Sequence, residues 1–267
     1  MKHILKTLNS EKESTFTMRK KTSVREYIAK TGLSFLLSLS IFSCSVYAAT
    51  YDNGWYKVNG VYVNPNGTEI PGAYKRGIDI SSHQGVIDWE KVSKDDVSFA
   101  FIRCGSSTTL SSADDKFEYN CDNAIKNGIP IGIYYRTNAQ TPEVARCEAY
   151  YTLSRISKYT ITYPVAIDVE GNSIANLSKE QLTENIIAFC EVIKEAGYIP
   201  CVYASTSWFN HKIGEIPYKK WVAQYNSACN ISGKISFWQC SCRGKIDGIS
   251  GNVDIDFQIK FPKKKSR

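Results

Sequence analysis

The sequence predicts an α/β chain whose main domain is a (β/α)8-like barrel with an incomplete outer ring of helices. Three observations predict it. From Lys75 onward, short apolar runs alternate with helix-period patterns; there are eight such runs; and the connections after the sixth and seventh are too short for full helices. The runs are residues 77–81, 98–103, 130–136, 164–170, 199–204, 221–225, 236–240 and 253–258. With 267 residues, 43% hydrophobic and 22% charged, the chain can bury a sizeable core, and disorder is excluded as its dominant state.

Taken in order, residues 1–48 read as an export signal. Arg19, Lys20, Lys21, Arg25 and Lys30 precede an apolar run over 33–47 that ends in Val46-Tyr47-Ala48, and cleavage is expected after Ala48. The run falls short of the ~20 residues a spanning helix needs, so contact with the membrane is expected to be transient. An uncleaved anchor and a start at Met18 are the alternatives.

Residues 49–74 form a short preface of aromatics and turns, where Asn59-Gly60 between alternating runs signals a hairpin. The segment resembles one copy of the Trp/Tyr/Gly repeats of bacterial wall-binding modules. A single copy cannot bury a core, so a strap leaning on the main domain is expected.

Within the main domain, residues 75–262, Asp88 is expected to cap a helix starting near Trp89. Phe117, Cys121, Ala124 and Ile125 stripe a second helix before Gly128, and Thr141-Pro142-Glu143 opens a third. The clearest helix follows Ser178, where Gln181 completes a capping box. Leu182, Ile186, Phe189, Cys190 and Ile193 share one of its faces, and Gly197 ends it.

The net charge of +7 sits at the chain ends. Residues 1–48 carry +5 and the basic tail, residues 263–267, carries +4 on Lys263, Lys264, Lys265 and Arg267, which leaves −2 for the body. That body offers no electrostatic footprint for nucleic acid. Of nine cysteines, eight remain without Cys44, an even number whose pairing is open between disulfides and buried thiols. Cys240 and Cys242 lack a second ligand pair with zinc spacing, so no metal and no cofactor is expected.

Alternation along strands locates the chemistry, because successive side chains point to opposite faces. In Ala166-Ile167-Asp168-Val169-Glu170 the apolar residues face the helices, leaving Asp168 and Glu170 toward the interior near the strand end where barrel enzymes keep their sites. The same parity turns Asp79 and Asp254 inward. Clustered carboxylates suit glycosidic cleavage, in which crowding keeps one carboxyl protonated as general acid while its neighbours stay ionised, and they also suit divalent-metal hydrolysis. A metal-dependent hydrolase and a non-catalytic cell-wall-binding protein are the competing readings.

Several motifs occur in the order found in one family: Arg76-Gly77-Ile78-Asp79-Ile80-Ser81-Ser82-His83-Gln84-Gly85, Phe99-Ala100-Phe101-Ile102-Arg103, Pro164-Val165-Ala166-Ile167-Asp168-Val169-Glu170, Trp221-Val222-Ala223-Gln224-Tyr225, Trp238-Gln239 and Asp247-Gly248-Ile249-Ser250-Gly251-Asn252-Val253-Asp254. Together they resemble the glycoside hydrolase family 25 lysozymes, which are N-acetylmuramidases. The resemblance implies a barrel with an incomplete helix ring. It implies Glu170 as proton donor, Asp168 orienting and stabilising beside it, and Asp79 and Asp254 completing an acidic floor. It further implies a secreted or wall-associated monomer acting on the glycan strands of bacterial peptidoglycan. Tyr134, Tyr203, Trp221, Tyr225 and Trp238 are the aromatics expected around sugar rings. The chain departs from the family pattern at Cys240, where Tyr is usual, and at Arg136, where a second aromatic is usual. Asp256 falls where the family often has Asn and is read as structural, as is His83.

Overall fold

The computed structural model describes residues 54–106 and 112–260; the expected export segment and the basic tail lie outside the described residues. Among the described residues there are ten strands, with helices separating the third through the eighth. They are β1 (Tyr56–Val58), β2 (Val61–Val63), β3 (Ala73–Ile80), β4 (Ala100–Ser106), β5 (Ile131–Arg136), β6 (Val165–Asp168), β7 (Pro200–Ser205), β8 (Lys219–Ala223), β9 (Phe237–Gly244) and β10 (Val253–Ile259). The last eight close a barrel in the order β10-β3-β4-β5-β6-β7-β8-β9.

Each neighbouring pair from β3 to β9 is parallel. β10 departs from the all-parallel expectation, running antiparallel to both β9 and β3. The reason is length: residues 245–252 are too few for a crossover helix, so the chain returns as a hairpin. The reversal matters for the site. It puts the N-terminal end of β10 beside the C-terminal ends of the other strands, with Asp254 opposite Asp79 and Asp256 opposite Gly77.

Among the described residues full helices follow three strands: α2 (Phe117–Lys126) after β4, α3 (Pro142–Ile156) after β5 and α4 (Lys179–Glu195) after β6. Short ones follow β3, as α1 (Trp89–Val92), and β7, as α5 (Thr206–His211). The capping chemistry of each start is in place. Asp88 accepts from the Lys91 amide, Thr141 caps α3 with Pro142 in its first turn, and Ser178 and Gln181 form the capping box of α4.

The barrel interior is a small aromatic core of its own, built from Phe99, Phe101, Tyr134, Tyr203, Trp221 and Phe237 with two small residues. Glycines on β3 and β5, the strands that flank β4, make room for it. A Cβ on Gly77 would lie 2.4 Å from the Phe99 ring, and one on Gly132 would lie 2.5 Å from Phe101. Trp221 stacks on Phe101 at 4.3 Å, so the ring that floors the pocket rests on packed aromatics.

Where the helix ring is missing, the hairpin covers the outer face of β9 and β10. Asn59 and Gly60 form its two-residue turn, both with positive φ (49° and 85°), which suits the twist of the strands. Trp55 meets Trp238 edge-on at 5.5 Å, and Tyr62 lies 5.0 Å from Phe257. Arg76 ties the layer down, donating from Nη1 to the Trp55 carbonyl at 3.0 Å and from its backbone amide to the Tyr62 hydroxyl at 3.2 Å. Among the described residues all eight cysteines are free thiols, and no helix is long and apolar enough to cross a membrane. Cohesion among these residues therefore rests on burial rather than on cross-links.

Trp55→Ala is expected to cost about 3–5 kcal/mol, the range for removing a buried Trp or Phe. Urea unfolding measures it; a loss within 0.5 kcal/mol would show that the hairpin adds no packing energy.

Candidate active site

The C-terminal mouth of the parallel strands opens into a cavity of about 230 Å³, lined among others by Asp79, Asp168, Glu170 and Asp254. Four carboxyls thus meet from β3, β6 with its following loop, and β10. β6 ends at Asp168, earlier than the sequence pattern suggests, with ladder bonds at its end and a turn at Gly171. The Asp168 carbonyl accepts from the Thr137 amide at 3.1 Å, and Gly171 adopts φ +98°. Glu170 therefore sits on the loop just beyond the strand, half-exposed, with its Oε1 3.3 Å from Arg136 Nε. The Gly171 conformation leaves space that the Arg136 guanidinium fills, since a Cβ there would approach Nη2 to 3.0 Å.

Asp79 is held from below. Gln239 Nε2 donates to Asp79 Oδ2 at 2.7 Å, and Gln239 Oε1 accepts from the hydroxyls of Tyr203 and Tyr225, each at 2.9 Å. Deeper still, fully buried Asp256 accepts from Trp221 Nε1 at 2.7 Å on Oδ1 and shares a carboxyl–carboxyl hydrogen bond with Asp79. Asp168 is buried, and its Oδ1 has no hydrogen-bond partner. Arg103 stands at the cavity wall, but its charge is answered by Asp114, Nη2 to Oδ2 at 2.8 Å, and by the Ser82 hydroxyl.

Burial sets the electrostatics. It pushes the Asp79 carboxyl well up, the nearby Asp256 charge adds to the push, and the Gln239 amide opposes it. Asp168 is raised well above the carboxylate range by burial first and then by Glu170, with Arg136 countering. Asp254 and Asp256 are each pushed up to about 8, chiefly by burial. Burial therefore raises the proton affinity of the aspartates that surround Glu170.

Of the aromatics expected at sugar rings, Tyr134, Tyr203, Trp221 and Tyr225 line the cavity. Trp238 does not. It lies on the outer face of β9 under the hairpin, 2% exposed, with its Nε1 donating to the Gln224 carbonyl at 2.9 Å. Parity explains the difference: Phe237 and Gln239 point inward, so Trp238 points out. Gln239 and Arg103 are the cavity residues that the acid-centred reading passed over, and the same alternation places both on the inner face. His83 also reaches the cavity wall. Among the described residues no group of three or more His, Cys, Asp or Glu side chains is arranged to hold a metal ion.

A family profile, the glycosyl hydrolases family 25, matches residues 78–249. The chain is 31% identical to an autolytic lysozyme of Clostridium acetobutylicum over 189 residues, covering 68% of this chain and 55% of the relative. It is 32% identical to lysozyme M1 of Streptomyces globisporus over 200 residues, covering 67% and 66%. Among solved structures, the modular autolysin LytC of Streptococcus pneumoniae in complex with a synthetic peptidoglycan ligand superposes with a TM-score of 0.65 at 27% identity, covering 76% of this chain and 52% of that one. The chain thus spans about half the length of the clostridial and pneumococcal proteins.

The raised carboxyls predict a pH-dependent stability. Asp256 at about 8, against an ordinary 3.8, binds a proton in the folded state that the unfolded chain has released. Its contribution is fully present below the lower value and is lost as the pH rises toward the upper one. Asp256→Asn removes this titration, so its Tm relative to wild type should rise between about pH 4 and pH 8. Calorimetry at both ends checks it, and a constant difference would contradict the buried-proton account.

Proposed function

The chain belongs to the glycosyl hydrolases family 25, and from that membership we propose that it is a peptidoglycan hydrolase cleaving the β-1,4 bond between N-acetylmuramic acid and N-acetylglucosamine. The observation that carries the reading is the convergence of Asp79, Asp168, Glu170 and Asp254 on one aromatic-walled cavity at the barrel mouth. Such a cavity offers rings against which sugar faces pack and acids aimed at one bond.

In this mechanism Glu170, the half-exposed acid, donates a proton to the departing sugar oxygen, for which it must let go of Arg136. Asp168, with an unpartnered Oδ1, faces the ring that develops positive charge, where its oxygen binds the 2-acetamido group or stabilises that charge. Asp79 and Asp254 complete the floor, and the hydrogen bond from Gln239 keeps Asp79 from turning away. Tyr134, Tyr203, Trp221 and Tyr225 shape the sugar groove. The substrate lies outside the cell, in keeping with residues 1–48 as an export signal and with a secreted or wall-associated enzyme; that the enzyme is a monomer is part of the same proposal. Residues 75–262 are the catalytic domain.

The test is kinetic. On soluble glycan fragments, Glu170→Gln keeps shape and loses the proton, so kcat should fall about 10²–10⁴-fold with little change in KM. Asp168→Asn should lower kcat as well, and EDTA should leave the wild type unaffected. Full activity in Glu170→Gln would overturn the assignment, and loss of activity on chelation would favour a metal-dependent hydrolase.

A further inference from the structure

Beside the catalytic cavity lies a second depression of about 500 Å³, and Tyr225 lines both. Its outer wall is Trp55, Pro65 and Asn66 from the hairpin segment, which precedes the family-matched residues 78–249. The opposite wall is Ser241 to Arg243 at the end of β9, and Asn226 and Ser227 close one side.

The hairpin wall is a built feature. Asn64 is 4% exposed, its Nδ2 donates to the Ser227 carbonyl at 2.8 Å, and its Oδ1 accepts from the amides of Asn66 and Thr68 at 2.9 and 3.0 Å. One side chain thereby orders the 64–68 turn and pins it to the loop between β8 and β9.

The lining points to a class of ligand. Tyr225 is 57% exposed, and with exposed Pro65 it offers apolar surface above the buried Trp55, while Asn66, Asn226 and Ser241 offer neutral hydrogen-bonding groups. A pyranose has this composition, with an apolar C–H face and a rim of hydroxyls. Arg243 is exposed and makes no ion pair among the described residues. Every second sugar of the proposed substrate bears a lactyl ether whose carboxyl is an anion when free; when it is amide-linked to a peptide, the peptide's own carboxylates carry the charge, and a guanidinium matches either anion.

We propose that this depression is an outer saccharide subsite, in which the glycan strand leaving the catalytic cavity passes Tyr225 and rests between the hairpin and β9, a carboxylate-bearing substituent meeting Arg243. The proposal rests on the muramidase reading and extends it. The hairpin then does two jobs: its buried side seals the barrel where helices are missing, and its turn lengthens the groove. Short substrates that end at Tyr225 gain nothing from it, and longer ones do.

The experiment compares kcat/KM on four-sugar and eight-sugar peptidoglycan glycan fragments. Replacing Asn66 and Arg243 together by Ala should lower the eight-sugar to four-sugar ratio about tenfold, as expected for losing ~1.4 kcal/mol of binding to the longer substrate. Asn66→Trp, which narrows the groove instead of removing contacts, should lower the ratio too. An unchanged ratio in both variants, with the wild type active, would overturn the subsite alone. A wild type that cleaves neither fragment would overturn the muramidase reading and the subsite together.

Discussion

The antiparallel pairing of β10 with β3 brings Asp254 opposite Asp79 and Asp256 opposite Gly77, and the chemistry of the mouth depends on that register. A parallel last strand would carry Asp254 to the far end of the barrel. The reversal also presses Asp256, which is wholly buried, toward the underside of the site, where the Trp221 indole holds it. With both carboxyls charged this arrangement would be costly, so the floor favours protons. The Gln239 amide, fixed by the hydroxyls of Tyr203 and Tyr225, then gives Asp79 one orientation.

That register has a price on the outside of the barrel. Without crossover helices after β8 and β9, the outer faces of Trp238 and Phe257 would meet water. The hairpin covers them with Trp55 and Tyr62, and Arg76 binds hairpin to barrel through its guanidinium and its backbone amide. The missing helices and the added hairpin are therefore one structural solution, and the segment that follows the hairpin borders the depression next to the acid-lined cavity.

Much of this is legible in the residue pattern, and the limits are physical. Period-two alternation reports which face a residue takes, so Asp79, Asp168 and Asp254 are readable as inward-facing, and capping residues such as Ser178 mark helix starts. Alternation is blind to strand direction; β10 reads identically either way, and only the brevity of residues 245–252 distinguishes them. Trp238 shows the danger of judging by residue type. Its ring suits a sugar, yet parity with inward-facing Phe237 assigns it to the outer face and Gln239 to the site. Docking of the hairpin depends on contacts between residues far apart in sequence, Trp55 with Trp238 and Asn64 with Ser227, which no local pattern encodes. The raised carboxyls likewise follow from burial, which becomes visible only once the barrel is closed.

A muramidase is distinguished from other peptidoglycan hydrolases by the bond that it cuts. Digesting purified peptidoglycan, reducing the products and weighing them by mass spectrometry identifies the new reducing end. The account predicts reduced N-acetylmuramic acid at every new terminus. Reduced N-acetylglucosamine, or peptide fragments with the glycan strands intact, would contradict it.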